Sequence, residues 1–177
     1  FGFKKKIDKN KRIFNKDLGG GVILDHGCYT TSMSLLVASS IDSLDTNNFK
    51  FKDIKTDYLD SEIDIHSFAK LIFDNKFTCD VAVSFREDIG KKTTISCENG
   101  KIILENIWNS EKPTLELIGE TNKIFEFENR INVYSLEIEN ISNNINDNKN
   151  EASYPGINKK EILLNTKIID NWMNEQK

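Results

Sequence analysis

Apolar positions along the chain change their spacing, and each change marks an element. Val22 to Ser39 holds Leu24, Cys28, Leu35, Leu36, Val37 and Ala38, an apolar content that predicts a buried helix, with Gly27, Cys28, Ser32 and Ser34 small enough to let another backbone come close. From Phe49 the spacing falls to two. Phe49, Phe51 and Ile54 open a strand-like stretch, and Asp60 to Asp64 reads as a polar turn. Ser67 to Phe73 and Phe77 to Phe85 read as paired strands about Asp74-Asn75-Lys76, with Val81, Val83 and Phe85 on one face. Thr93 to Cys97 and Lys101 to Glu105 flank Asn99-Gly100, a dipeptide suited to the positive φ angles of a type I′ hairpin turn. Alternation continues at Leu115 and Leu117 and at Ile124, Phe125 and Phe127.

Near the end the spacing becomes helical again. Tyr134, Ile138, Ile141 and Ile145 predict an amphipathic helix that runs into the loop-like Asn146 to Ser153. After Pro155-Gly156, Asn158 with Glu161 three residues later resembles a capping box, and Ile162, Ile169, Trp172 and Met173 would supply a buried stripe. Phe1 to Asp17 is polar and basic and reads as an irregular lead-in. The sum is an α+β fold: an open, mostly antiparallel β-sheet of about six to eight strands with helices packed on one face. At 177 residues the expectation is a single domain, residues 1–177, able to bury a core without disulfides. The chain begins at Phe1 rather than Met, which suggests a piece of something longer.

Composition narrows the function classes. Hydrophobic residues make up 38% of the chain and the net charge is −4, ordinary values for a soluble globular protein. An acidic balance of this kind argues against nucleic acid or an acidic membrane as partner, since either needs a basic face. The one basic cluster, Lys4, Lys5, Lys6, Lys9, Lys11 and Arg12, reads as a solvated segment or part of a substrate mouth. The phenylalanines alternate with aliphatic residues, so they read as core and interface rather than as a base-stacking platform. Three cysteines, Cys28, Cys79 and Cys97, lie far apart in sequence and form neither a disulfide framework nor a metal signature. A reduced, cytoplasmic setting without a metal follows as the simpler expectation. No apolar run reaches the roughly 18 residues of a membrane span.

Only one stretch carries a chemical signature, Gly19-Gly20-Gly21-Val22-Ile23-Leu24-Asp25-His26-Gly27-Cys28-Tyr29. Three glycines can turn sharply, and a helix starting after them offers unpaired N–H groups and a partial positive charge, a cradle for an anion or a substrate oxygen. Within that helix Asp25 and Tyr29 stand four apart on one face, where a carboxylate and a phenol can serve one small molecule. Asp25 read alone is a first-turn residue favoured by the helix dipole. Adjacent Asp25 and His26 point about 100° apart and are not read as a dyad. Arg12 and Asn15, a few residues upstream, either line the mouth of the site or are surface groups. His66, with no partner nearby in sequence, reads as structural.

This stretch resembles the G-G-G-x-L-x-D-x-G-C-Y motif that opens the long helix of the C-terminal domain in the glucose-fructose oxidoreductase, inositol dehydrogenase and MocA-like oxidoreductases (Gfo/Idh/MocA). The tyrosine form is similar to the branch with aldose and trans-dihydrodiol dehydrogenases. The resemblance implies a C-terminal substrate-binding and oligomerisation domain of a two-domain enzyme that uses NAD or NADP and acts on a sugar, polyol or related diol. It also implies that the cofactor is bound mainly by an N-terminal dinucleotide-binding domain that this chain lacks, since no G-x-G-x-x-G follows a strand here. By the same resemblance Tyr29 and Asp25 are the catalytic pair, Tyr29 exchanging a proton with a substrate hydroxyl and Asp25 orienting the substrate or its acid partner, with Arg12, Asn15, Gly20 and Gly21 as substrate-binding positions. A homo-oligomer through the sheet face is the partner it implies beside the substrate. Glu111-Lys112-Pro113 spells the family's lysine motif but lies downstream of the glycine-rich helix instead of in the cofactor domain, so it is read as coincidence. A different class remains open: a non-catalytic sugar-binding or scaffold domain that keeps this fold without turnover.

Overall fold

The computed structural model describes every residue except 61, 91, 109–111, 129–131, 153, 155 and 176–177. Its elements run in the order α1 (Val22–Ser39), β1 (Phe49–Leu59), β2 (Ile63–Phe73), β3 (Phe77–Ser84), β4 (Lys92–Cys97), β5 (Gly100–Glu105), β6 (Thr114–Ile118), β7 (Lys123–Glu126), α2 (Val133–Asn146) and α3 (Lys159–Asn174). Two short 3₁₀ turns, Arg12–Phe14 and Lys16–Leu18, precede α1. The α+β class and the antiparallel pairing are as the sequence predicts. The strands do not form one continuous meander, however: they make a three-stranded sheet in the order β1-β2-β3 and a four-stranded sheet in the order β4-β5-β6-β7. The chain divides accordingly into two compact units, Phe1–Gly90 with Lys160–Lys177, and Lys91–Lys159.

In the first unit the central strand β2 alternates strictly. Ser67, Ala69, Leu71 and Phe73 are buried, while the residues between them are only partly covered. Across from them β3 contributes Val81 and Val83, paired with Ala69 and Ser67. On β1 the parity must change to keep the pattern inward, and a bulge does this. Phe51 pairs with Leu71, the register then shifts between Lys52 and Lys55, and Asp53 takes a positive φ of 53°. Beyond that shift Thr56, an even-numbered residue, comes within hydrogen-bonding distance of the inward Ser67 hydroxyl at 2.8 Å. One extra residue therefore moves the inward set from odd to even positions.

Helices α1 and α3 meet each other and this sheet. Trp172 of α3 is fully buried, stacks on Phe51 of β1 at 5.7 Å between ring centroids, and donates its indole N–H to Ser67 of β2 at 3.1 Å. Gly27 of α1 stands against the same indole, where a Cβ would lie 3.8 Å from the ring, an ordinary van der Waals contact. Thr31 of α1 donates to Asn165 of α3 at 2.7 Å. The stripe that α3 buries is Leu164, Ile168 and Trp172, with Ile169 and Met173 partly covered; Ile162 is exposed, against expectation. The true stripe is a plain i, i+4, i+8 series, and Ile162 sits two residues out of phase with it. On α1 the buried set is Val22, Ile23, His26, Gly27, Thr31, Ser34, Leu35 and Ala38, whereas Leu24 and Leu36 are exposed.

The second unit is built on hairpins. Cys97 pairs with Gly100, so the loop residues are Glu98 and Asn99 rather than Asn99 and Gly100. Gly100 instead begins β5 where a Cβ would lie 2.0 Å from the Ile118 carbonyl oxygen of β6, which requires glycine for close approach. Asn132 caps α2 by accepting from the Tyr134 amide at 3.0 Å. Tyr134, Ile138, Ile141 and Ile145 of that helix are exposed. Of the Glu111-Lys112-Pro113 motif, Glu111 lies outside the described residues, as does Pro155. No described helix is long and apolar enough to cross a membrane.

Candidate functional site

The lead-in is not irregular at its start. Phe3 donates its amide to the Ser84 carbonyl at 3.1 Å and Lys5 donates to the Phe85 carbonyl at 2.7 Å, with Gly2 and Ser84 in a parallel bridge. The segment therefore runs extended beside β3, and alternate side chains turn the same way. Phe1, Phe3 and Lys5 all face α1. Phe1 lies 4.5 Å from the Tyr29 ring and 5.0 Å from the His26 ring, and Phe3 lies 5.0 Å from His26. Lys5 reaches Asp25 Oδ2 at 2.9 Å.

Asp25 is the centre of the charge cluster. Arg12 donates to its other oxygen, Oδ1, at 2.5 Å and to the Gly19 carbonyl at 3.2 Å. Burial pushes the Asp25 carboxyl up, but hydrogen bonds from Lys5 and Arg12 and the Lys5 charge outweigh it and hold the group below the usual carboxylate range. Asp25 is therefore a fixed anion near neutrality rather than a proton acceptor. Tyr29, one turn further along the helix, is 41% exposed and so open to a small molecule.

His26 departs from its sequence reading. Its ring is buried among Phe1, Phe3 and Phe85, and Nε2 stands 3.5 Å from Asp25 Oδ2, so the two adjacent side chains converge. Long side chains bend back toward each other even when their Cβ directions diverge. Burial, helped by the Lys5 charge and opposed by Asp25, lowers the imidazole pKa to about 4, so the ring is neutral. His66, on the opposite side of its strand from the helices, has Nδ1 3.5 Å from Glu87 Oε1.

The glycine triplet makes a turn whose cradle is already filled. Gly19 is left-handed at φ 67° and Gly21 stands at φ 118°. Gly20 is packed so closely that a Cβ would lie 2.8 Å from the Arg12 carbonyl oxygen and 2.7 Å from that of Asn15. Gly21 donates its amide to the Ile13 carbonyl at 3.0 Å, and a Cβ on it would strike the Asp64 carboxylate. Asp64, expected in a turn, belongs to β2 and accepts from the Ile23 amide at 2.7 Å. It supplies from another strand the carboxylate that the start of α1 favours. Burial raises its pKa, with the α1 amides of Ile23 and Val22 pulling the other way.

Of the sequence candidates, the structure thus joins Arg12 to Asp25 and sets Tyr29 beside them on α1. Asn15 lies elsewhere. Its side chain accepts from the Asp17 amide at 3.0 Å, and it lines an open cleft of about 400 Å³ with Lys9, Phe14, Asp60 and Ile63, where neither Asp25 nor Tyr29 is found. Lys5, Phe1, Phe3, Phe85 and Asp64 are parts of this site that the sequence does not single out. The alternation Phe1-x-Phe3-x-Lys5 is the available signal for the first three.

No protein-family model and no curated protein matches the chain. Solved structures do. KijD10, a 3-ketoreductase from Actinomadura kijaniata in complex with NADP and TDP-benzene, matches with a TM-score of 0.76 at 13% identity, over 96% of this chain and 50% of its own. The aldose-aldose oxidoreductase from Caulobacter crescentus complexed with glycerol matches with a TM-score of 0.75 at 16% identity, over 98% of this chain and 50% of its own. A dehydrogenase (MviM) from Clostridium difficile gives 0.69 at 13% identity, over 98% and 52%. The fold is that of the C-terminal domain of Gfo/Idh/MocA-type oxidoreductases. The chain spans about half the length of the structures it matches.

Proposed function

We propose that residues 1–177 are the C-terminal substrate-binding and oligomerisation domain of an NAD(P)-dependent oxidoreductase acting on a sugar, polyol or related diol. The observation that carries this reading is the Asp25 carboxylate, held ionised by Lys5 and Arg12 one helical turn from a partly exposed Tyr29. The fold neighbours support it, being a ketoreductase and an aldose oxidoreductase. Asp25 accepts a hydrogen bond from a substrate hydroxyl and fixes the ring. Tyr29 exchanges the proton of the reacting hydroxyl, for which its phenol needs a cation nearby to be effective at neutral pH. Asp25, anionic at neutral pH, positions and does not accept the proton.

The chain's own glycine-rich helix start does not fit a dinucleotide. The Asp64 carboxylate sits on the amide where a pyrophosphate would bind, and two anions there repel. NAD(P), which supplies the hydride chemistry, would accordingly be held by a preceding domain.

Substitution of Tyr29 by Phe in the full-length protein tests the reading. Turnover on a good sugar substrate should fall by about 10²-fold or more, with folding unchanged. Unchanged turnover removes Tyr29 from the chemistry. Absence of NAD(P)-dependent turnover on every sugar and polyol tried, with sugar binding intact, would favour a non-catalytic sugar-binding domain instead.

A further inference from the structure

The two cations on Asp25 are held very differently. Lys5 sits on an extended segment whose amide is tied to the Phe85 carbonyl at 2.7 Å, so its Cα cannot drift. Its ammonium lies 4.4 Å from the centre of the Phe85 ring and 5.0 Å from that of Phe3 while it bonds Asp25 Oδ2, and its side chain is 20% exposed. Two aromatic faces and one carboxylate oxygen hold this cation in a partly desolvated seam, where such contacts are strongest. Arg12 comes from a short 3₁₀ turn, its side chain is 53% exposed, and it takes the other oxygen, Oδ1. A guanidinium carries five N–H donors, and the Gly19 carbonyl and Asp25 occupy only part of that fork.

We propose that Lys5 is a positioning residue of this site, fixing Asp25 from the strand–helix seam, while Arg12 is the exchangeable partner that a substrate hydroxyl displaces from Oδ1 and that then turns its free donors to the substrate. The proposal rests on the assignment of Asp25 and Tyr29 to the substrate site. Phe3 and Phe85 act with Lys5 by giving its ammonium no other place to go. An arriving hydroxyl meets Oδ1 first, because the wetter and more screened of the two contacts is there. Lys5 keeps Asp25 ionised and in one rotamer throughout, so the substrate is oriented by an anion that does not move.

The two cations should therefore separate in kinetics of the full-length protein. Lys5→Met is expected to lower kcat by about 10-fold or more with KM within about threefold, and to move the acid limb of the kcat/KM profile to higher pH, because Asp25 then protonates more easily. Lys5→Arg should recover part of kcat. Arg12→Met is expected to raise KM by about 10-fold with kcat within about threefold. A Lys5→Met protein with wild-type kcat and an unmoved acid limb overturns the proposal, as does an Arg12 variant with the larger loss in kcat. A readout free of turnover separates this from failure of the oxidoreductase reading: the ¹³C titration of the Asp25 carboxyl. Its midpoint should rise further in Lys5→Met than in Arg12→Met even in a protein that turns over no sugar. Equal or reversed shifts sink the proposal by themselves.

Discussion

The carboxylate of Asp64 and the backbone amide of Ile23 are hydrogen-bonded at 2.7 Å, although forty-one positions separate them in the sequence. This bond ties β2 to the first turn of α1 and fixes the helix on which Asp25 and Tyr29 stand. Gly21 lies under it, since any Cβ there would strike the carboxylate.

Removing this cap should loosen the helix start. Asp64→Ala is expected to cost about 1–2 kcal/mol in urea unfolding, in the range of lost N-caps, and Gly21→Ala about as much or more, from its positive φ and the clash. The double variant should cost less than the sum, because the shortened side chain at position 64 leaves room for a Cβ at position 21. Strict additivity would mean that the two residues do not act on each other.

The bulge at Asp53 predicts the outcome of a deletion. Taking out Asp53 removes the extra residue, so Ile54 and Thr56 fall on the unbroken alternation set by Phe51, stay turned toward the helices and keep Thr56 opposite Ser67. The deletion variant should therefore keep its cooperative thermal transition. Asp53→Gly, which suits a φ of 53°, should leave stability within about 0.5 kcal/mol of the parent. A deletion variant without a cooperative transition shows that the bulge itself, and not only the inward phase, is required.

Elements are legible in the sequence wherever period and side-chain chemistry agree. β2 and β3 alternate cleanly, and the α2 range follows its isoleucines. Asp64 reads as part of a turn because an aspartate among Asp60, Glu62 and Asp64 looks like turn composition, while its partner amide is remote in sequence. Ile162 reads as buried because apolar identity says nothing of helical phase; Leu164, Ile168 and Trp172 define that phase only once Trp172 is placed on Ser67. The split into two sheets has no local signal either, since each hairpin reads the same in one sheet or two. The placement of Asp25 and Tyr29 one turn apart on α1 is legible from their spacing. Lys5 is lost among neighbouring lysines, and only the sheet edge beside it tells which of them faces Asp25.

The Trp172–Ser67 contact is the next test of the packing. Ser67→Ala leaves a buried indole N–H without its acceptor and should cost about 1–2 kcal/mol. Trp172→Ala opens a cavity between Phe51 and Gly27 and should cost about 3–5 kcal/mol, enough to abolish folding if the parent is marginal. Trp172→Phe keeps most of the volume and relieves the Ser67 requirement. Adding Ser67→Ala to it should then cost little, and a full additional loss would place the role of Ser67 with Thr56 instead.

His26 should make stability depend on pH in a defined window. Its folded pKa is lowered to about 4 from 6.5, by burial first and by the Lys5 charge second, against the attraction of Asp25. Between those values the unfolded chain binds the proton and the folded one does not. The stability that the neutral ring allows is therefore present above pH 6.5 and is lost progressively as the pH falls toward 4. Integrated over that window, the loss approaches about 3 kcal/mol as a ceiling. Asp25 adds to the trend only at lower pH, because its own pKa is depressed below the ordinary carboxylate value of 3.8. Urea midpoints measured from pH 7.5 to 4.5 should fall steeply for the parent. His26→Leu keeps an apolar group in the Phe1, Phe3 and Phe85 cage and should flatten most of that slope. If the slope survives the substitution unchanged, the proton uptake belongs to another group and the ring is not held neutral by its surroundings.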